Sequence, residues 1–228
     1  MPRRARFTVE DGIYHVMVRG NNRNTIFHDD EDFKYFKKLM KETKDKYNLK
    51  IYHYVLMNNH VHVIIQAAKG KDLSEGIKRI NVIYAAHYRR KYKGIGHFFQ
   101  DRFKSYLIQN GLYLLESGRY IELNPVKAGI VKKPDEYRWS SYCVYSKGKG
   151  DGIVDISPEY KGLSWVDGNR RHIYKEFVEA GRAERRDEER YFRSGVYGTE
   201  NFMKDMKKKG LKPLWSHKGK PKKVSRSR

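Results

Sequence analysis

The chain of 228 residues can hold one ample domain, or a domain with a smaller appendage. Its 49 Lys and Arg residues outnumber its 27 Asp and Glu residues, and the formal charge of +22 favours a polyanionic partner, most simply the backbone of a nucleic acid. The sequence contains no long uncharged apolar run and no cleavable signal pattern, and its single cysteine, Cys143, excludes an internal disulfide and a zinc finger. We therefore expect a cytoplasmic protein with no membrane partner.

Strand-like and helical patterns alternate along the first half of the chain. Runs of β-branched and aromatic residues predict strands, and apolar residues at helical spacing predict helices. In chain order the patterns predict a strand over 13–18, a helix over 30–47 with Asp29 or Asp30 as its N-cap, strands over 49–57 and 60–66, a helix over 72–92, a strand over 97–108 and a helix over 111–123. Asn58-Asn59 joins the two middle strands, and asparagine tolerates the left-handed backbone that a two-residue hairpin turn requires.

The order of these elements is β-α-β-β-α-β, followed by one more helix. This order predicts an α+β fold, a ferredoxin-like split βαβ sandwich whose largely antiparallel sheet carries two helices on one face. The added helix would then cover the opposite face of the sheet.

The patterns also divide the chain into two parts. Residues 1–148 carry the regular alternation and are predicted to form the main domain. Residues 149–228 form a less patterned C-terminal extension, with short helices predicted over 174–180 and 200–206. The chain after Lys207 is basic and interrupted by Pro and Gly, so we expect a flexible tail that contacts phosphates or nothing at all.

Two histidines open the second strand of the predicted hairpin. Alternate side chains of a strand share a face, so His60 and His62 point the same way. Two imidazoles at this spacing can share one metal ion, although a structural or solvent-facing pair would give the same pattern. If the turn holds two residues, His60 faces Met57 and His62 faces Val55. His53 would share this face further down, and the simplest interpretation of it is a half-buried polar neighbour.

The helix predicted over 111–123 carries a second set of polar groups. Tyr120 and Asn124 are four residues apart and therefore lie on one helical face, which Tyr113 and Glu116 share. A different side of the helix should face protein, and it carries Leu114, Gly118 and Ile121. A tyrosine at a packing interface and an asparagine that caps the helix would explain the first pair equally well.

Several motifs, in this order, resemble those of the single-tyrosine transposases of the HUH endonuclease superfamily, and most of all the REP-associated tyrosine transposases. The resemblance covers about residues 7 to 145. The stretches that carry it are Tyr14-His15-Val16, Arg19-Gly20-Asn21-Asn22-Arg23, His60-Val61-His62 within 55–65, Phe99-Gln100-Asp101-Arg102-Phe103, Arg119-Tyr120-Ile121-Glu122-Leu123-Asn124-Pro125 within 119–129, and Trp139-Ser140-Ser141-Tyr142.

The resemblance implies a bacterial or archaeal transposase that cleaves and rejoins single-stranded DNA through a 5′-phosphotyrosine, at repeats that form hairpins. Tyr120 matches the nucleophile of the family motif. His60, His62 and Asn124 match the ligands of a divalent metal, Mg²⁺ or Mn²⁺. The family often has proline in the turn before the first histidine, where this chain has Asn58-Asn59, and both choices suit a turn. Some relatives exchange a strand or helix between two copies, so a monomer and a homodimer are both compatible with the resemblance.

Five polar residues flank the predicted site in the sequence, and we expect them to contact DNA: Arg19, Asn22, Arg23, Arg102 and Lys104. Each of them is equally compatible with a solvated surface side chain. Three other functions remain open. The chain could bind structured single-stranded DNA or RNA without cleaving it, hydrolyse DNA directly with Tyr120 only stacking on a base, or serve as a basic structural protein.

Overall fold

Strands and helices follow one another in the predicted order through the first half of the chain. The computed structural model describes residues 6–93, 96–182 and 194–211. The strands in these ranges are β1 (Gly12–Arg19), β2 (Leu49–Met57), β3 (His60–Ala67), β4 (Lys104–Ile108) and β5 (Val196–Tyr197). The α-helices in the same ranges are α1 (Asp30–Lys46), α2 (Gly70–Tyr92), α3 (Leu112–Glu122), α4 (Asn124–Lys127), α5 (Tyr142–Lys147), α6 (Pro158–Lys161), α7 (Asp167–Ala180) and α8 (Glu200–Lys208).

The five strands form one sheet in the order β2-β3-β1-β4-β5. The pairs β2–β3, β3–β1 and β1–β4 are antiparallel, and the two-residue β5 runs parallel to β4 at the edge. The first four strands have the order of a split βαβ unit, so the predicted α+β, ferredoxin-like sandwich is confirmed. The short fifth strand was not predicted.

Side chains alternate between the two faces of the sheet, and each face has its own apolar cluster. One face, which includes Val16, packs against α1 and α2 through residues such as Phe36. The other face, which includes Ile64, packs against α3 through Leu114 and Ile121. Burial of a side chain such as Phe36 contributes about 1.5–3 kcal/mol, so both faces stabilise the fold. The added helix covers the second face, as predicted.

The strand predicted over 97–108 is shorter than expected and begins only at Lys104. Ahead of it, the backbone pairs with the loop after β1 instead: the Asn21 N–H donates to the Phe98 carbonyl at 2.9 Å, and Gly20 forms an isolated bridge with Phe99. Phe98 and Phe99, which suggest a strand by their composition, therefore pair with this loop instead.

The extension after residue 148 contacts the edge of the sheet at β2. Val154 bridges Ile51, and the Asp155 carboxylate accepts hydrogen bonds from the Ile51 N–H and from Lys44 Nζ, both at 2.8 Å. The domain boundary at residue 148 stays a prediction.

Helix α7 belongs to a third apolar cluster, which joins the extension to α3. It includes Leu115 and Leu123 on the α3 side together with Tyr145, Tyr160, Tyr174 and Val178. The predicted helix over 174–180 is the second half of α7, which begins at Asp167. Beyond Leu211, the predicted basic tail lies outside the described residues. Within the described ranges, no helix is long and apolar enough to cross a membrane.

Candidate active site

The β2–β3 hairpin presents two histidines on the face of the sheet that α3 covers. His60 pairs with Met57 and His62 pairs with Val55, as the predicted two-residue turn requires. The next residue in the alternation, Ile64, belongs to the apolar cluster under α3, which places both histidines on that side. His62 is buried and His60 is half-buried.

The Asn58-Asn59 turn is held by hydrogen bonds and not by a left-handed backbone. Neither asparagine has a positive φ, which corrects the expected turn geometry. The Asn58 carbonyl accepts hydrogen bonds from the N–H groups of Ile26 and Phe27 at 2.7 and 3.1 Å, and the Asn59 carbonyl accepts one from the Gly20 N–H at 2.9 Å. The loop after β1 is therefore tied to the turn that precedes the histidines.

Further hydrogen bonds orient the two imidazole rings. A carbonyl oxygen only accepts, so His60 Nδ1 carries the proton that it donates to Asn59 Oδ1 at 2.6 Å, and His60 Nε2 keeps a lone pair. His62 Nδ1 lies 2.7 Å from His15 Nε2. When the shared proton is on His62 Nδ1, His62 Nε2 also keeps its lone pair. Metal-binding histidines usually have such a hydrogen bond on their second ring nitrogen, so the pair fits a metal site.

The histidines of this cluster are neutral at neutral pH. Burial lowers the pKa of His15 to about 3. Burial, followed by the charge of Arg19, lowers the pKa of His60 to about 4. The pKa of His62 also lies well below its ordinary value, because of burial first and neighbouring His15 second. Neutral imidazole is the form that binds a metal, and no proton has to leave these rings first.

Tyr120 lies on α3 beside the histidines. The centre of its ring is 6.2 Å from that of His62 and 6.0 Å from that of His15. The two other tyrosines that stand nearby in the sequence are placed differently. Tyr113 packs against β5, and Tyr106 is buried, which raises its pKa to about 12. Tyr120 therefore combines partial exposure with a position next to the histidine pair.

Asn124 caps the end of the tyrosine helix. Its Nδ2 donates to the carbonyls of Tyr120 at 3.0 Å and Ile121 at 3.3 Å, which leaves Oδ1 as the atom that could reach a metal. Across residues 6–93, 96–182 and 194–211, no hydrogen bond or ring contact joins Asn124 to His60 or His62. Those ranges also contain no group of three His, Cys, Asp or Glu side chains that could hold a metal. Two imidazoles and one amide oxygen are the donor set that the predicted site offers.

The residues expected to contact DNA lie in two places. Arg19 pairs with His60 across β1 and β3, and Lys104 pairs with Met17 across β1 and β4, so alternation puts both cations on the histidine face. The remaining three are exposed in the segments that join β1 to α1 and α2 to β4: Asn22, Arg23 and Arg102. The structure therefore brings two of the five residues to the histidine face itself.

Two further residues near Tyr120 received no role from the sequence. Lys127 Nζ lies 5.1 Å from the centre of the Tyr120 ring, and His15 is bonded to His62. The alternation of β1 places His15 on the same face as Arg19, so it could have been found from that pattern. Lys127 lies two helical turns after Tyr120, in α4, which was not predicted.

His53 is fully buried, which corrects the expected half-buried position. Its Nδ1 lies 2.9 Å from Glu122 Oε1, and the side chains of both residues have no exposed surface. Its ring also stacks on Tyr145 with 4.4 Å between the centres. A buried hydrogen bond between β2 and α3 thus lies under the helix that carries Tyr120. Its partners are 69 residues apart in the chain, so strand and helix spacing could not reveal it.

Comparisons with known proteins bear on the fold and on the family of this chain. Among solved structures, a REP-associated tyrosine transposase bound to a REP hairpin has a TM-score of 0.56 and 22% identity, and the match covers 69% of this chain and 96% of that chain. At this identity the likeness supports the fold alone. A protein from Deinococcus radiodurans solved as a candidate transposase (TM-score 0.37, 14% identity, 53% of this chain and 96% of that chain) and the tRNA(His) guanylyltransferase of Saccharomyces cerevisiae (TM-score 0.42, 11% identity, 78% and 82%) are too distant to carry an argument.

No curated protein matches the sequence at a significant level. The family model described as Transposase IS200 like, however, matches residues 8–124, which is just over half of the chain and includes both histidines, Tyr120 and Asn124. The chain therefore belongs to the family of IS200-like transposases.

Proposed function

We propose that this transposase cleaves and rejoins single-stranded DNA through a 5′-phosphotyrosine on Tyr120, assisted by a divalent metal, at sequences that form hairpins. The observation that carries the proposal is the position of the Tyr120 ring. Its centre lies 6.2 Å from the centre of the His62 ring and 6.0 Å from that of the His15 ring. A tyrosine, a pair of neutral imidazoles and basic side chains on one face are the groups that a phosphoryl transfer of this kind uses.

The metal would be held by the Nε2 atoms of His60 and His62 and by the Asn124 Oδ1 atom. Nitrogen and oxygen donors of this kind suit Mn²⁺ or Mg²⁺, and imidazoles alone also accept zinc. A bound divalent ion would withdraw charge from a non-bridging oxygen of the scissile phosphate and fix its orientation. The hydrogen bonds from His60 to Asn59 and between His62 and His15 keep the imidazoles in place for this task.

Tyr120 performs the covalent step. Its hydroxyl oxygen attacks the phosphorus in line with the bond to the 3′ oxygen of the preceding nucleotide. The new bond joins phosphorus to the tyrosine oxygen, the bond to the 3′ oxygen breaks, and the proton lost by tyrosine is balanced by the proton gained at the released 3′-hydroxyl. Because the energy of the broken linkage is kept in the phosphotyrosine, a second 3′-hydroxyl can reverse the step and join strands without ATP.

Charge and the nearby cations support an anionic substrate. The formal charge is +22, and Arg19 and Lys104 share the histidine face while Lys127 lies over the Tyr120 ring. A solved structure that shares this fold was determined with a REP hairpin bound. We therefore assign hairpin-forming single-stranded DNA as the substrate class.

The test is an assay for a covalent adduct between the protein and DNA. The protein is incubated with a labelled single-stranded oligonucleotide that contains a hairpin, with Mn²⁺ and separately with EDTA, and is then denatured in SDS. A labelled adduct that survives SDS and needs the metal supports transesterification. Cut DNA without an adduct would instead indicate hydrolysis, and binding without cutting would indicate a non-cleaving binder; either result would contradict the proposal.

A further inference from the structure

A fully buried carboxylate lies two residues after Tyr120 on the same helix. Glu122 is 0% exposed, and both of its oxygens accept hydrogen bonds. Oε1 accepts from Ser141 Oγ at 2.5 Å and lies 2.9 Å from His53 Nδ1, and Oε2 accepts from the Tyr174 hydroxyl at 2.7 Å. A charge removed from water in this way is tolerated only where its hydrogen bonds are made, so the three partners are needed to keep Glu122 in place.

The three partners come from three separate parts of the chain. His53 stands in β2, Ser141 precedes α5, and Tyr174 stands in α7 of the extension. Ser141 is itself tied to β2, since its N–H donates to the Tyr54 carbonyl at 2.9 Å. Glu122 is therefore the point at which the sheet, the segment before α5 and the extension all hold the end of α3.

At the other end of the same helical turn, the fixed contact is the close packing of Gly118. Gly118 lies against the His53 ring so closely that an added Cβ atom would be 2.6 Å from His53 Cε1. Gly118 and Glu122 flank Tyr120 by two residues on either side, which is about 3 Å along the helix axis in each direction. Because two fixed contacts bracket Tyr120 so closely, a shift at Glu122 must move the Tyr120 ring.

We propose that Glu122 is a positioning residue for Tyr120, and that the Tyr174 hydroxyl, which belongs to the C-terminal extension, holds Glu122 in place. Helix α7 of the extension is then part of the machinery that presents the tyrosine, and Tyr174 acts through Glu122 without touching DNA. The role given to Tyr120 here rests on the proposed function, but its placement by Glu122 and Tyr174 does not.

The Tyr174 hydroxyl is well suited to this task. Burial, followed by the charge of Glu122, keeps its pKa well above the ordinary tyrosine value, so the hydroxyl stays protonated and donates. Tyr174 lies outside the part of the chain that the family model matches, residues 8–124, so this contact is an addition made by the rest of the chain.

Tyr174→Phe removes this one hydroxyl and keeps the ring, and the same aromatic cluster provides a matched control. Tyr160 is also buried, its hydroxyl donates to the Tyr145 carbonyl at 2.7 Å, and it packs beside Tyr174 without contacting Glu122. Tyr160→Phe therefore also removes a buried hydrogen bond. Both variants should lose thermal stability, so all rates are measured well below both melting temperatures.

The first readout is the rate of adduct formation at saturating oligonucleotide with Mn²⁺, measured beside the Kd for DNA. We expect Tyr174→Phe to lower the saturated rate by about tenfold or more with an unchanged Kd, because a nucleophile misplaced by about 1 Å can lose about 100-fold in rate. Tyr160→Phe should keep the wild-type rate. Equal rates in the two variants would overturn the proposal.

The second readout does not depend on catalysis. With 3-fluorotyrosine incorporated at position 120, the fluorine resonance reports the surroundings of that ring in the folded protein. Tyr174→Phe should shift or broaden this resonance, whereas Tyr160→Phe should leave it unchanged. If the wild-type protein forms no adduct, the proposed function fails while this comparison still decides whether Tyr174 positions Tyr120. A resonance that responds equally to both substitutions, or to neither, would contradict the positioning role.

Discussion

At the residue scale, the oxygen of Tyr120 and the ring that carries it have separate tasks. The ring contacts His15 and His62 and lies under Lys127, so it contributes to packing. The oxygen is the atom that would attack phosphorus. Tyr120→Phe keeps the packing of the ring and removes the oxygen that would attack.

The first prediction is that Tyr120→Phe abolishes adduct formation, while the melting temperature and the affinity for DNA stay close to wild type. Tyr113→Phe is the control, because Tyr113 is on the same helix but packs against Tyr197. It should still form the adduct. Peptide mapping of the wild-type adduct should find the nucleotide on the peptide that contains Tyr120. A modified Tyr113 or Tyr106 would identify a different nucleophile.

The second prediction concerns the metal ligands. His60→Ala and His62→Ala should each remove Mn²⁺ binding, measured by titration calorimetry, and with it the metal-dependent cleavage. The affinity for DNA should change little, because phosphate contacts elsewhere dominate it. His172→Ala, on the exposed surface of α7, is the control and should behave as wild type. Full Mn²⁺ affinity in either variant would refute the ligand assignment.

The two histidine substitutions should differ in their effect on stability. His62 is buried and bonded to His15, so its loss removes a buried hydrogen bond, which contributes about 0.5–1.5 kcal/mol to the free energy of unfolding. Among the described residues, half-buried His60 forms its side-chain hydrogen bond with the turn residue Asn59, so its loss should cost less.

The residues of the site differ in how far sequence could predict them. The common face of His60 and His62 follows from strand alternation, and their partners Met57 and Val55 follow from the length of the turn. The contact of His15 with His62 joins strands whose residues are 47 positions apart, and no local pattern encodes which strands are neighbours.

At the element scale, the fit of α3 against the sheet depends on Gly118. The His53 ring that faces it cannot move away easily, since it is held by Glu122 on one side and stacked on Tyr145 on the other. The third prediction is that Gly118→Ala lowers the free energy of unfolding by about 1–3 kcal/mol, as overpacking of a core does. Urea denaturation measures this change.

The residue next to it provides the control for that prediction. Ser117 is also buried in α3, but its hydroxyl has no hydrogen-bond partner among the described residues, so Ser117→Ala removes a group that contributes no bond. Its stability should be equal to or above that of the wild type. Equal stabilities of the Gly118→Ala and Ser117→Ala proteins would show that the helix can shift to accept the methyl group.

The order and type of the long elements could be predicted because each has a local cause. Asp29 caps α1 by accepting a hydrogen bond from the Asp32 N–H, and Phe33, Phe36 and Leu39 follow at helical spacing. β4 was predicted too long because Phe98 and Phe99 have strand-like composition but pair with the loop after β1. A strand of two residues such as β5 has no periodic signal of its own.

At the scale of the whole molecule, the formal charge was the clearest signal in the sequence. The position of the extension was the feature that the sequence indicated least. The excess of Lys and Arg predicts a polyanionic partner without any knowledge of the fold. The docking of the extension depends on Tyr145, Tyr160 and Tyr174, which are 15 and 14 residues apart and become neighbours only when α5, α6 and α7 pack together. Such spacing resembles no regular pattern, so sequence could not indicate that the extension holds α3.

The last prediction concerns the basic segment 212–228 at the end of the chain. It carries seven Lys and Arg residues and no acid, so its removal lowers the formal charge from +22 to +15. The deletion should begin at residue 212, because Leu211 packs in the main apolar cluster and its loss would also disturb the fold. Each phosphate contact to single-stranded DNA contributes about 0.7 to the slope of log K against log salt, so the truncated protein should bind more weakly and with a flatter slope, by up to about 5 if all seven residues contact phosphates. A full-length variant with these seven residues changed to Gln separates charge from length and should reproduce the flatter slope. A slope equal to that of the wild type in both proteins would show that the segment does not contact DNA, and that the cations around the histidine face are sufficient for binding.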